Sequence, residues 1–188
     1  MKTQESLVDL GEAAIRSRGY GGFSYADIAR EAGIRKASIH HHFPAKSDLG
    51  LAVLVRYSDR LRTALGDIEA TSRTGGDALR GAIALYRAAL GDGDRMCLCA
   101  ALASDILAIS PAMQSALQSA NEMTASWFES ILLKGRRDRT ITVGGDPSEE
   151  AEAILAQLQG AQLLARAASS IAPFDRATAT LNARISRH

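Results

Sequence analysis

The sequence predicts an all-α fold of about nine helices, and three observations carry that expectation. Proline occurs only 4 times in 188 residues, whereas Ala, Leu, Arg and Glu, all good helix formers, are abundant. Apolar residues recur at helical spacing, as in Leu7, Gly11, Ala14 and Ile15. Breaks punctuate this pattern at Gly75-Gly76, Gly91-Asp92-Gly93, Ser110-Pro111 and Asp146-Pro147.

The first helix is expected over 3–17, with Gly19 as its stop. Tyr20-Gly21-Gly22-Phe23 then forms a turn with two aromatic anchors. Ser24 has the chemistry of an N-cap, and the acid Asp27 suits the first turn of the helix that follows. That helix, over 25–32, buries Ile28, Ala29 and Ala32. Gly33 breaks it, Ile34 packs inward, and a second short helix covers 36–42. Pro44 closes this element, and Lys46 or Ser47 opens a long helix bearing Leu49, Val53, Leu54, Tyr57, Leu61 and Leu65. Further helices are expected over 75–91, 96–109, 111–134, 148–170 and 174–186. The polar stretch 135–145 is the one place read as locally extended, at Thr140-Ile141-Thr142-Val143. Four of the nine aromatic residues (Tyr20, Phe23, Tyr25, Phe43) lie in the first 50 positions, a density suited to a small three-helix unit. The expected domains are therefore 1–47 and 48–188.

Several function classes are excluded by composition and spacing. No apolar run approaches the ~20 residues needed to span a bilayer, and the start has no signal-peptide core, so no membrane partner and a cytoplasmic location are expected. Cys97 and Cys99 lie two residues apart and point about 200° from each other on a helix, which suits neither a disulfide nor chelation. Three consecutive histidines, His40-His41-His42, diverge by about 100° per residue and cannot converge on one metal ion. The region beyond residue 47 has no Gly-rich phosphate loop and no His-and-acid spacing, so neither enzyme activity nor a cofactor is expected.

Net charge is only +1, but its distribution is uneven. From Ala32 to Ser47 there are three cations (Arg35, Lys36, Lys46), three histidines and no carboxylate. Two short helices joined by a tight turn at Gly33 are the geometry of a helix-turn-helix, whose second helix enters the major groove. Ile28, Ala29, Ile34, Ile39 and Phe43 hold the pair together. Arg35, Lys36, Ser38 and His41 fall on or near the outer face, and Ala37 is small enough for close approach to bases.

The run from Ser24 to Lys46, SYADIAREAGIRKASIHHHFPAK, with Arg18-Gly19-Tyr20 ahead and Asp48-Leu49 behind, resembles the DNA-binding signature of the TetR/AcrR family of transcriptional regulators. The resemblance implies that Ser24 and Tyr25 touch backbone or a base edge. It places Arg35, Lys36, Ala37 and Ser38 against bases, His40 and His41 against phosphate or base edges, and Lys46 against a phosphate. Tyr25 also reads as a core aromatic. The sequence departs from the family pattern at Phe23, where Thr is usual, and at His40, where Tyr is usual.

The C-terminal part carries two apolar faces. Ala151, Ile154, Leu155, Leu158, Ala161, Gln162, Ala165 and Ala168, with Gly160 between, allow close helix approach, and the resemblance implies a homodimer through the last two long helices. The second face holds Tyr86, Met96, Cys97, Leu102, Met113, Met123, Trp127 and Phe128; of these, Leu102 aside, the set is expected to line a ligand pocket. Met96-Cys97-Leu98, Ala103-Ser104-Asp105-Ile106 and Ser110-Pro111-Ala112-Met113 are similar to the NemR-type, electrophile-sensing branch of that family. Gly160-Ala161-Gln162-Leu163-Leu164-Ala165, followed by Arg166, is similar to it as well. That likeness implies a sensor role for Cys97; a buried packing thiol is the other reading. The expected partners are a double-stranded DNA operator, a second copy and an unidentified small-molecule effector. A helix-turn-helix regulator without a ligand, or an enzyme with an accessory DNA-binding unit, stands as the alternative.

Overall fold

The computed structural model describes residues 4–186, which form nine α-helices and no named strand. They are α1 (Gln4–Arg18), α2 (Tyr25–Ala32), α3 (Lys36–His42), α4 (Lys46–Thr71), α5 (Gly75–Ala88), α6 (Leu98–Ser104), α7 (Pro111–Arg137), α8 (Pro147–Ala167) and α9 (Ala172–Ala183). The start expected at residue 3 lies outside the described residues. Around Thr140 the extended segment is reduced to one antiparallel bridge, Ile141 with Ile185. No helix among the described residues is long and apolar enough to cross a membrane.

The chain divides into two compact units, each built from two stretches of sequence. One comprises 1–59 and 98–120, the other 60–97 and 121–188. In the first, Leu7, Ile15, Ile28, Ile39 and Leu49 are fully buried. Gly11 lets α4 approach α1, since a Cβ there would lie 3.0 Å from Val53 and 3.3 Å from Leu49. In the second, α5, α7, α8 and α9 bury Leu79, Phe128, Ile131, Leu158 and Phe174 around one core.

Four helices, α5, α6, α8 and α9, are shorter than their sequence suggested. α6 occupies Leu98–Ser104 rather than 96–109, because the Cys97 N–H is taken by Gln162 and the chain turns at Asp105. α8 ends at Ala167, where Ser169 takes a left-handed φ of 46° and the Ser170 N–H folds back to the Ala165 carbonyl.

Candidate nucleic-acid interface

α2 begins in a complete capping box. Ser24 is extended (φ −131°, ψ 166°), its hydroxyl accepts the Asp27 N–H, and the Asp27 carboxylate accepts the Ser24 N–H at 2.9 Å. The Ser24 hydroxyl also donates to that carboxylate at 2.8 Å. This hydroxyl bond, then the bond from the Ser24 N–H, and the neighbouring Arg30 guanidinium together hold the Asp27 carboxyl below its ordinary range. α2 ends at Gly33, whose φ of 68° is left-handed. A β-carbon would be strained there, and the reversal sends the Ile34 N–H back to the Ala29 carbonyl at 3.0 Å.

The buried face of α3 is Ile39, with Phe43 just beyond its end, and Ile28 and Ala29 on α2 are buried in the same unit. The rest of α3 points outward: Lys36, Ala37, Ser38, His40 and His41 are exposed, as is Arg35 at its N-cap. No described residue engages the Arg35, Lys36 or Ser38 side chains. Cations, a hydroxyl and a methyl group thus stand together on one solvent-facing helix.

Tyr25, His40 and Lys46 are placed differently. The Tyr25 side chain is buried, and its hydroxyl lies 2.6 Å from the Ala45 carbonyl and 2.9 Å from that of Phe43. Burial, helped by the Asp48 carboxylate and Tyr20, pushes its pKa up to about 12, so it stays a donor at physiological pH. The His40 ring packs edge-on against Tyr25, with centroids 4.9 Å apart. Its Nδ1 is 3.0 Å from the Pro44 carbonyl. The Lys46 ammonium donates to the carbonyls of Tyr20 (2.6 Å) and Phe23 (2.7 Å). It also sits 4.5 and 4.4 Å from the centroids of those two rings. Burial lowers its pKa, against the opposing pull of Asp105. The resemblance implies that these three side chains meet DNA; here Tyr25 and Lys46 also bond main-chain carbonyls of the loops flanking α2 and α3, and exposed His40 sets one ring nitrogen against the Pro44 carbonyl.

Asp105, which did not stand out in the sequence as a site residue, closes the same turn from just beyond α6. Its carboxylate accepts the Gly21 N–H at 3.1 Å. Nothing local in the sequence announces this bond, because the partners are 84 residues apart. Among the described residues no group of three His, Cys, Asp or Glu side chains is disposed to hold a metal ion.

The expected ligand-pocket residues are drawn from both units. Met113 is fully buried in the first unit, its Sδ and Cε within 3 Å of where a Gly50 Cβ would stand. Tyr86, Met96, Cys97, Met123, Trp127 and Phe128 lie in the second. Phe128 stacks tilted on Tyr86 (6.4 Å) and Trp127 lies edge-on to Phe128 (5.2 Å). Cys97 and Cys99 are both buried, 2 % and 3 % exposed. Cys97 precedes α6, and its N–H is already bonded to Gln162, so it does not open a helix with exposed amides beneath its sulfur. Arg166 donates to the Asp94 carbonyl. The stripe on α8 expected to pair subunits is instead buried within the protomer: Ala151, Ile154, Leu158, Ala161, Gln162 and Ala165 are each at most 2 % exposed.

A capped helix, a left-handed glycine turn and an outward helix of cations and small residues define a helix-turn-helix, the reading head of a DNA-binding transcriptional regulator. A family model described as "Bacterial regulatory proteins, tetR family" matches residues 7–53. A TetR-family transcriptional regulator from Agrobacterium tumefaciens superposes with a TM-score of 0.92 at 30 % identity, covering 98 % of this chain and 97 % of that one. The HTH-type transcriptional repressor NemR of Escherichia coli K12 is 27 % identical over 94 % of this chain and 90 % of its own length. The crystal structure of E. coli NemR in its reduced form gives a TM-score of 0.83 at 25 % identity, covering 98 % of each chain. The chain belongs to the TetR family of bacterial transcriptional regulators.

Proposed function

We propose that this regulator is a cytoplasmic, non-catalytic homodimeric repressor that binds a palindromic operator and is released by a small molecule or electrophile. The carrying observation is the exposed start of α3, where Arg35, Lys36, Ala37 and Ser38 are each solvent-facing. In this reading Lys36, Ala37 and Ser38 meet base edges, Arg35 and His41 meet phosphate or bases, and Ser24 approaches the backbone at the start of α2. Tyr25, His40 and Lys46 act one step back by fixing the loops that aim α3. The DNA-reading function is assigned to residues 1–47, and pairing and effector binding to 48–188.

Pairing is supported by the outward faces of α8 and α9. On α8, Ala153, Ala156, Leu163, Leu164 and Ala167 are exposed, Leu163 at 42 % and Leu164 at 58 %, and a Cβ on Gly160 would meet open space. On α9, Ala172, Ala179 and Ala183 follow the same helical spacing. The two helices are tied together by the Gln157 amide, which donates to the Ala177 carbonyl at 2.6 Å and lies 2.9 Å from the Thr180 hydroxyl. Small and apolar residues on a shared surface suit a two-fold bundle, which presents two reading heads to two half-sites. An effector acts by binding better to the arrangement whose heads miss the operator spacing.

The test is selection of binding sites from random duplex DNA, followed by footprinting and mass measurement of the complex. A palindromic footprint holding two chains supports the proposal. Sequence-independent binding, or a single chain on a single half-site, overturns it.

A further inference from the structure

We infer that Asp105 is a positioning residue for DNA reading: its carboxylate sets the glycine-rich turn ahead of α2, and through that turn the attitude of α2 and α3, without touching DNA. The inference rests on the reading above that α3 meets base edges, and adds a residue far from that helix in sequence. Three of the five residues at 19–23 are glycine, so the turn has little stiffness of its own. Yet it leads straight into Ser24, the N-cap of α2, and α3 follows α2 through the Gly33 turn. Whatever fixes 19–23 therefore fixes where the helix pair begins.

Opposite charges hold the turn from two sides. From the first turn of α4 the Lys46 ammonium donates to the Tyr20 and Phe23 carbonyls, at 2.6 and 2.7 Å. From just beyond α6 the Asp105 carboxylate accepts the N–H of Gly21, at 3.1 Å. Tyr20 and Phe23 are buried anchors, whereas Gly21 between them in sequence is exposed. Gly19 leaves room for the carboxylate, because a Cβ there would stand 2.9 Å from Asp105 Oδ2. The loop that carries Asp105 is itself braced. The Ala108 N–H returns to the Asp105 carbonyl at 2.8 Å, the Gln114 amide on α7 donates to the Ile106 carbonyl at 3.1 Å, and Leu102 and Ile109 on either side are buried. A braced carboxylate thus meets a turn that cannot brace itself, which is how supporting groups aim a binding element.

The charge of Asp105 gives two possible roles opposite signs. An acid in the unit that carries α3 repels phosphate, so by charge alone its removal should tighten binding to any duplex. A positioning role requires that its removal weaken operator binding. The test uses full-length protein, an operator that the wild type selects from random duplexes, and the variants Asp105→Ala and Asp105→Asn. Asn keeps an oxygen for the Gly21 N–H and loses the charge; Ala loses both. Asp105→Ala is expected to lower operator affinity about fivefold, the effect of one hydrogen bond, while affinity for random duplex holds or rises. Asp105→Asn is expected to stay within about twofold of wild type on the operator. In 15N-labelled Asp105→Asn, the milder change, the Gly21 amide resonance should keep its wild-type position. Tighter operator binding by the Ala variant, or an equal loss on operator and random duplex, overturns the inference. So does a Gly21 resonance displaced in the Asn variant while operator affinity is unchanged. A wild type that selects no operator removes the repressor reading and the inference together, whereas failure in the variant comparison alone leaves that reading standing.

Discussion

The carboxamide oxygen of Gln162 accepts the backbone N–H of Cys97 at 2.8 Å, and its nitrogen donates to the Tyr86 carbonyl at 2.7 Å. One fully buried side chain on α8 thus ties α5 to the residue preceding α6. Gln162→Met keeps the volume and removes both hydrogen bonds. The expected loss is about 1–3 kcal/mol, read as a fall of several degrees in melting temperature. The bond also bears on the thiols. Both cysteines are buried, so native protein should alkylate slowly at Cys97 and Cys99 alike, and Gln162→Met should speed Cys97 selectively. Fast labelling of Cys97 in the native protein would favour the sensor reading over packing.

Lys46 holds the Tyr20 and Phe23 carbonyls from the first turn of α4. Lys46→Ala should destabilise the reading head by about 1–2 kcal/mol, seen in thermal or urea unfolding. The salt dependence of DNA binding should be nearly unchanged. A slope reduced by a full phosphate contact, with stability intact, would instead place this ammonium on the DNA.

Lys36 and Ser38 are exposed and unengaged on α3. Lys36→Ala should weaken operator binding and, where it contacts phosphate, lower the salt slope by about one. Ser38→Ala should change the preferred base at one position of each half-site, worth about 1–3 kcal/mol of discrimination. Site selection with each variant checks both; identical profiles would take α3 out of the groove.

Asp27 caps α2 through Ser24, and the folded protein holds its carboxyl below the ordinary value of 3.8. A depressed acid stabilises the fold fully above its unfolded pKa and loses that contribution as pH falls through the folded one. Wild type should therefore exceed Asp27→Asn in melting temperature at neutral pH, and the two curves should converge as pH drops below 3.8. A constant gap down to the acid limit would show that the charge on Asp27 is irrelevant.

Leu164 is 58 % exposed on α8, whereas Leu158, six residues earlier, is fully buried. Leu164→Arg should yield folded monomers whose operator affinity drops by about 10²-fold, because two linked half-site contacts become one. Leu158→Arg should unfold the protomer, since an unpaired charge would enter its core. Sedimentation with circular dichroism separates the two outcomes. A Leu164→Arg dimer with full affinity would move the subunit interface elsewhere.

Features under short-range chemical control could be read directly from the residues. Ser24 and Asp27 are three residues apart and make a capping box wherever a helix follows. Gly33 permits the left-handed turn that sets α3 against α2, and the spacing of Ile28, Ala29 and Ile39 chooses the face that each helix buries. The nine helices and the outward row of α3 were legible for that reason. Contacts between residues remote in the chain had to wait for the folded molecule. It gave the Tyr25 hydroxyl and the Lys46 ammonium to main-chain carbonyls some twenty residues away, and Asp105 to the Gly21 N–H. It seated Met113 against Gly50 and turned the apolar stripe of α8 inward, leaving Leu163 and Leu164 outside. Helical periodicity shows that a stripe is apolar; whether that stripe meets its own protomer or another surface is settled by which helices lie beside it. A polar side chain likewise carries its donors in the sequence, but only the folded chain brings up the acceptor that claims them or, as at Trp127, leaves the donor unclaimed.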